Sequence, residues 1–483
     1  MADAALDRTS PELFRDVYPY TAPPRILFGG VTVPPSPAQD PYITDTTFRD
    51  GQQARAPYTP QQIVRLYDLL HRLGGEAGLV RQSEFFLYAE SDRVALDACR
   101  DRGYRFPEVT AWIRARPEDF KLVKAAGVRE TGILTSCSDY HTFRKLHLTR
   151  RQALESYLQV VDAALGAGII PRCHFEDVTR ADLEGFVLPF ARSLMQRRRE
   201  SGIEVKIRLC DTLGYGVSYG DALAPRSVPK LVSALRLEAG VPEQALEWHG
   251  HNDFHHGFVN AVTAWRYGCG AVNGTLLGFG ERTGNTPIEG LVLEWMGLTG
   301  RSDVDTLAIT EIARYAEESL GYHVPPMTPF VGAQSLTTAA GIHLDGLRKD
   351  EEIYSIFDTT RLLGRVPGVL VTDKVGVAGV ALWLERELGR PPGSIAKDDA
   401  TVLGLHRWVE GLFMSGRVTA VSDAELRAAL EDLRRHDVGQ ALRVGNGQGR
   451  KARPSAPICR AAVRPGASLA WRCTCAGARR RGR

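Results

Sequence analysis

Eight short apolar segments alternate with helical patterns between Tyr42 and about Gly300, and this rhythm constrains the fold more than any other feature. The strand candidates are Tyr42-Thr44, Val80-Phe86, Glu108-Trp112, Glu130-Leu134, Ile169-Phe175, Glu204-Cys210, Leu246-His249 and Ala271-Leu276. Between them lie helical patterns such as Pro60-Leu73, Ser91-Asp101, Glu118-Ala126, Arg150-Ala167, Asp182-Ser201, Val228-Glu238 and Gly257-Gly268. Parallel strands need crossover connections of a dozen or more residues, so such a repeat predicts an α/β fold with a parallel sheet. Eight units over about 260 residues fit a closed (β/α)8 TIM barrel better than an open sheet. Chemistry in such a barrel belongs at the C-terminal ends of the strands.

Three segments at those ends carry residues suited to one divalent metal. Trp248 to Asp253 reads W-H-G-H-N-D, and on a strand residues two apart leave the same face, so His249 and His251 converge. Imidazole is the commonest metal ligand, yet most His-x-His pairs are incidental, and the pair matters only in company. Asp45 to Gln53 reads D-T-T-F-R-D-G-Q-Q, where Asp50 offers a hard oxygen and Arg49 a fixed cation for a developing oxyanion. Gly278 to Asn285 reads G-F-G-E-R-T-G-N, a glycine-rich loop whose Asn285 carbonyl can complete the sphere. An oxygen-rich site with histidines and open positions suits Mn2+ first, then Co2+ or Mg2+.

The bulk numbers limit the alternatives. The chain has 483 residues, 43% hydrophobic and 24% charged, with a net charge of +3. Neither nucleic acid nor a membrane is an expected partner: the net charge is small, and no apolar run reaches roughly 18 residues. Eight scattered cysteines and no apolar leader point to a reducing cytoplasm. Residues 1–40 read as a Pro-rich N-terminal arm, 41–300 as the catalytic barrel, 301–440 as a smaller helical lid or subunit-contact region, and 441–483 as a disordered basic tail. Helical patterns of the third part are Asp303-Leu320, Ser335-Gly341, Gly376-Leu388, Asp399-Ser415 and Asp423-Arg435. Cys473 and Cys475 lack partners and read as incidental.

With these motifs in order, the chain resembles the DRE-TIM metallolyase superfamily over roughly Tyr42 to Val377, and within it the acyltransferase branch. The resemblance implies a divalent metal on Asp50, His249, His251 and Asn285. It also implies a condensation of acetyl-CoA with a 2-oxo acid, EC 2.3.3 in type, and a homodimer. R-C-H-F-E, from Arg172 to Glu176, and D-T-L-G, from Asp211 to Gly214, are similar to synthase segments that flank the substrate. Gln53, Glu84, Arg114, Ser136, Arg172 and Thr212 are the implied substrate contacts. Arg49 and Glu176 join His343, of G-I-H-L-D-G, and Tyr354 as implied catalytic residues, with His343 the first candidate for the general base.

Details such as E-W-H-G-H-N-D-F and G-I-L-T-S-C-S-D-Y resemble the group of Re-type citrate synthases and 2-phosphinomethylmalate synthases. Extra arginines (Arg81, Arg114, Arg116, Arg172) suit a second anionic group on the 2-oxo acid, or else pair with carboxylates at the barrel top. Phosphinopyruvate is the first expectation for that acid, within antibiotic biosynthesis. Oxaloacetate is the alternative, and 2-oxoglutarate, as in homocitrate synthases, comes behind it. A 3-hydroxyacyl-CoA lyase is disfavoured, because its loop cysteine is missing between Gly278 and Asn285. A binding protein using the basic tail leaves the ligand set unexplained.

Overall fold

The computed structural model describes residues 5–29 and 31–445, with side chains up to residue 435. The tail pair Cys473 and Cys475 lies outside the described residues. Eight parallel strands close into one barrel in sequence order: β1 (Tyr42–Asp45), β2 (Val80–Phe85), β3 (Glu108–Ile113), β4 (Glu130–Ser136), β5 (Ile170–Glu176), β6 (Lys206–Asp211), β7 (Leu246–Gly250) and β8 (Ala271–Gly274). Closure is by β1 against β8, Tyr42 opposite Ala271 and Asp45 opposite Gly274. All eight predicted strands are present, within two residues at each end.

The helices start where local chemistry dictates. Pro60–Gly74 opens with a capping box between Thr59 and Gln62 and with proline in the first turn, and it buries Ile63, Leu66, Leu70 and Leu73 against the sheet. Arg150–Gly166 begins with the same box from Thr149 and Gln152. The N-terminal arm is fastened to the barrel wall: the Tyr18 hydroxyl donates to the Thr179 carbonyl, and Arg226 Nη1 donates to the Pro24 carbonyl. The Glu12 amide donates to Asp139 at 2.7 Å.

Beyond Gly300 the chain first completes the barrel layer. Helix Leu307–Ser319 contributes Ile309 and Ile312 to the barrel's core, and Arg72 pairs with both Asp305 and Glu311. A second core then forms among Leu344, Val380, Leu382, Leu405 and Leu430. The helical pattern expected at Ser335-Gly341 is corrected: Thr337–Thr338 is a short strand beside Gly368–Val369, and the helix is Gly341–Lys349. β-branched Thr337 and Thr338 favour extended backbone. The helix Asp423–Gly445 continues past residue 440. No helix among the described residues is long and apolar enough to cross a membrane.

Candidate metal centre at the barrel mouth

Asp50 opens the turn just after β1, His249 sits on β7, and His251 stands one residue beyond that strand, bridged to Asn285 of the loop after β8. One ligand atom from each of Asp50, His249 and His251 lies within 4.8 Å of the others, and all three residues are buried. His249 Nε2 and His251 Nε2 are 3.3 Å apart, and His251 Nε2 is 3.9 Å from Asp50 Oδ2.

The residues fit a divalent cation on their own chemistry. Asn273 Nδ2 donates to the Thr44 carbonyl and hydroxyl, so its oxygen faces His249 Nδ1 at 2.8 Å. That contact places the ring hydrogen on Nδ1 and leaves Nε2 with a free lone pair toward His251. Burial pushes His249 down to about 3 and lowers His251, so both imidazoles are neutral, the form that ligates metal. Burial alone would raise Asp50, but the Arg49 charge, with the Asn285 hydrogen bond beside it, helps to hold the carboxyl well below its usual range. Asn285 Nδ2 donates to Asp50 Oδ2 at 2.6 Å, while Asn285 Oδ1 is buried with no hydrogen-bond partner. An aspartate oxygen, two imidazole nitrogens and an unmet amide oxygen in one buried pocket form a mixed N/O ligand set.

Arg49 is locked beside this set. Its Nη1 donates to Asp50 Oδ1 at 2.7 Å, its Nε donates to Glu84 Oε2 at 2.8 Å, and its guanidinium lies 5.5 Å over the Trp112 ring.

On the far side of the barrel from β1, the ends of β4 and β5 carry a second cluster. Glu176 accepts from the Ser136 hydroxyl, from Lys145 Nζ at 3.4 Å, and faces His141 Nδ1 at 2.9 Å. Burial pushes Glu176 up, but hydrogen bonding and charge from His141, Ser136 and Lys145 win, holding it at about 2. The Thr212 hydroxyl accepts the Asp177 amide at 2.8 Å, which joins the turn after β6 to the end of β5.

Under the mouth, the barrel interior is ionic where most barrels stack branched apolar side chains. Arg49, Arg172, Lys206 and Arg208 interleave with Asp50, Glu84, Glu130 and Glu247, four cations with four anions. Glu84 is the hub: its Oε2 accepts from Thr46, Arg49 and Arg208, and its Oε1 accepts from Arg172. Burial raises Glu84, and the surrounding cations override it, leaving the carboxyl well below its ordinary range. Several atoms of the network nonetheless lack hydrogen bonds, namely Glu130 Oε1, Arg172 Nε, His174 Nε2, Arg208 Nε and Arg208 Nη2. An unmet buried polar group costs about 1–3 kcal/mol.

Not every predicted site residue arrives at the mouth with a free group. Glu84 has both oxygens taken, and the Nε–Nη2 edge of Arg114 is spent on Asp119 at 3.0 Å per contact. Arg81 pairs with Asp40, so for Arg81 and Arg114 the pairing with nearby carboxylates holds. Gln53 is exposed, and it is Gln52 that ties the turn, to the Phe48 carbonyl and the Tyr58 amide. Arg172 is fully inside the barrel. His343 and Tyr354 lie on the second unit, the region packed around the second core, with their ring centroids 4.6 Å apart and both exposed, and the His343 side chain shows no hydrogen bond among the described residues.

Sequence reasoning passed over His141, Lys145, His174, Arg208, Asn273 and Arg282. An asparagine inside a strand is rare enough to have drawn notice to Asn273. Arg282 had no comparable signal: it forks onto Asp253 at 2.7 and 3.0 Å and donates to the Thr212 carbonyl, tying three loops of the mouth together.

A family model described as HMGL-like matches residues 40–315. The chain is 57% identical to "Citrate (Re)-synthase" of Syntrophus aciditrophicus over 78% of its own length, although the match spans only 60% of that relative. It is 50% identical to "Citrate (Re)-synthase" of Clostridium kluyveri, covering 77% of this chain and 83% of that one. Identity to "2-phosphinomethylmalate synthase" of Streptomyces hygroscopicus is 38%, covering 78% and 86%. Among solved structures, hydroxymethylglutaryl-CoA lyase from Pseudomonas aeruginosa matches in fold with a TM-score of 0.50 at 19% identity, over 60% of this chain and 95% of that one. The chain therefore belongs to the HMGL-like family, in the acyltransferase branch of the DRE-TIM barrels.

Proposed function

We propose that the protein condenses acetyl-CoA with oxaloacetate to give citrate and free CoA, in the manner of the Re-type synthases. The observation that carries this reading is the meeting of Asp50, His249 and His251 within 4.8 Å beside Arg49, in a chain 57% and 50% identical to two relatives of that name. Phosphinopyruvate, the first expectation from sequence, gives way to oxaloacetate because the phosphinomethylmalate relative stands at 38%.

Asp50, His249, His251 and Asn285 would hold the divalent metal, Mn2+ first and Co2+ or Mg2+ next. Such an ion, when bound, polarises a carbonyl oxygen as a Lewis acid. Arg49, fixed by Asp50 and Glu84 beside the ligand set, is the group proposed to stabilise the keto oxygen as it becomes an alkoxide, at no cost in reorganisation. The methyl carbon of acetyl-CoA loses a proton and bonds to the keto carbon. Water then cleaves the thioester, leaving a carboxylate and the CoA thiol. His343 is the proposed base, with Tyr354 against its ring. Because both stand on the second unit, they reach the mouth by closure of that unit or from a second copy in a homodimer. Ser136, Glu176 and Thr212 line the other side of the mouth from Arg49 and take the substrate contacts.

The test is CoA release from acetyl-CoA with oxaloacetate, phosphinopyruvate, 2-oxoglutarate or 2-oxoisovalerate, with and without chelator. The reading expects turnover to be fastest with oxaloacetate and abolished by chelation. No CoA release with oxaloacetate overturns it, and preference for phosphinopyruvate restores the other assignment.

A further inference from the structure

We infer that Arg208, assisted by His174, is the specificity-determining group that recognises the second carboxylate of a dicarboxylic 2-oxo acid; this deepens, and rests on, the condensation proposed above. Arg208 is completely buried, and its unmet nitrogens are Nε and Nη2. Those two atoms form one edge of the guanidinium, the edge that Arg114 turns to Asp119 and Arg348 turns to Glu385. A two-pronged donor edge of this kind matches a carboxylate. Glu247 Oε1 lies 3.0 Å from Nη2 as an ion pair that balances its charge, while Nε has no partner. Beside it, His174 Nε2 is also unmet, 3.5 Å from Glu84 Oε1. Burial pushes His174 down to about 3, so it serves as a neutral partner.

The position fits a short acid. Arg208 Nη1 and Arg49 Nε sit at 3.1 and 2.8 Å from the same Glu84 oxygen, and Arg49 in turn holds Asp50. Along β6, Arg208 precedes by two residues Cys210, the register partner of His249. It therefore lies one inward layer beneath the ligand set. A four-carbon acid is about 5 Å from end to end, so one that is held by its keto end at the mouth directs its other end to this layer.

Charge gives the same answer. The eight interior groups balance, and a divalent ion adds two positive charges that a dicarboxylate cancels. A monocarboxylate leaves one charge uncompensated in a buried site. Of the other arginines considered for a second anion, Arg81 and Arg114 pair with Asp40 and Asp119, Arg116 is exposed, and Arg172 has Nε alone unmet, so among them Arg208 is the one with both nitrogens of an edge unmet.

The experiment compares oxaloacetate with 2-oxobutyrate, its neutral-ended counterpart, in wild type, Arg208→Gln and Arg208→Lys. Steady-state CoA release is read beside calorimetric binding of each acid without acetyl-CoA, and circular dichroism confirms the fold. Arg208→Gln should lower kcat/KM for oxaloacetate about 100-fold or more and weaken its binding in parallel, while 2-oxobutyrate changes less than about 5-fold. Arg208→Lys, which keeps the charge and loses the fork, should fall between. Unchanged discrimination in either folded variant overturns the inference, because a merely structural role weakens both acids alike. Should wild type itself prefer 2-oxobutyrate, the parent reading fails and takes this one with it.

Discussion

Glu289 provides a test of the physical account away from the catalytic groups. It lies on helix Ile288–Thr299, is buried, lines one cavity with the apolar Phe258, Leu277, Leu293 and Phe330, and accepts the Leu277 amide at 2.8 Å. Leu277 has a φ of 54°, so the glutamate braces a left-handed residue at the start of the loop that carries Asn285. Burial pushes its carboxyl up to about 7 from an ordinary 4.5, with the Leu277 hydrogen bond opposing. The folded state therefore keeps its proton where the unfolded chain has lost it. Stability from this group falls as pH rises from 4.5 through 7, and the full loss is present above 7. At 1.36 kcal/mol per tenfold change in proton affinity, the loss is about 3 kcal/mol. Glu289→Gln keeps the acceptor and removes the titration. Urea unfolding of both proteins at pH 5 and pH 8 should show the variant stabilised by about 2–3 kcal/mol at pH 8, with a much smaller difference at pH 5. A difference that does not change with pH, or a variant less stable at pH 8, refutes the reasoning.

Other outcomes follow from the same geometry. Asn273→Ala removes the oxygen that fixes the His249 tautomer, so the affinity for Mn2+ measured by equilibrium dialysis should drop about 10- to 100-fold while the fold survives. In the second unit, Glu385 is fully buried and receives both Nε and Nη2 of Arg348, so Arg348→Ala should cost about 3–5 kcal/mol in chemical denaturation. The double replacement Arg348→Met with Glu385→Leu should cost less than the single one, because no charge is then stranded.

The barrel was legible because period and spacing survive in the sequence: apolar strand cores such as Ile43, Ile133, Ile207 and Val272 recur between capped helices. The ligand triad was legible because local order reports on geometry. Two histidines spaced by one residue at the end of β7 share a face, and Asp50 follows β1, two strands around the barrel, so that all three stand at the same rim. The ionic interior was not legible. Arg172, Arg208 and Glu247 lie on β5, β6 and β7 and Glu84 on β2, and only closure of the barrel brings Glu84 within hydrogen-bonding range of the two arginines. Nothing local distinguishes Arg208, which is enclosed, from Arg114, which forks to a nearby aspartate. The same limit applies to His141, whose partner Glu176 is 35 residues away. Around residue 340 the apolar pattern misled, because two β-branched threonines before Gly341 extend the chain ahead of the helix.

Metal stoichiometry tests the central claim most directly. Wild type, Asp50→Ala and His249→Ala are loaded with Co2+, the bound ion is counted by elemental analysis after desalting, and the cobalt spectrum is recorded. Circular dichroism confirms that each variant is folded. The account predicts one tightly held ion per chain in wild type, with a spectrum showing nitrogen ligation, and loss of that ion in both variants. An equal ion count and an unchanged spectrum in the folded variants would contradict it.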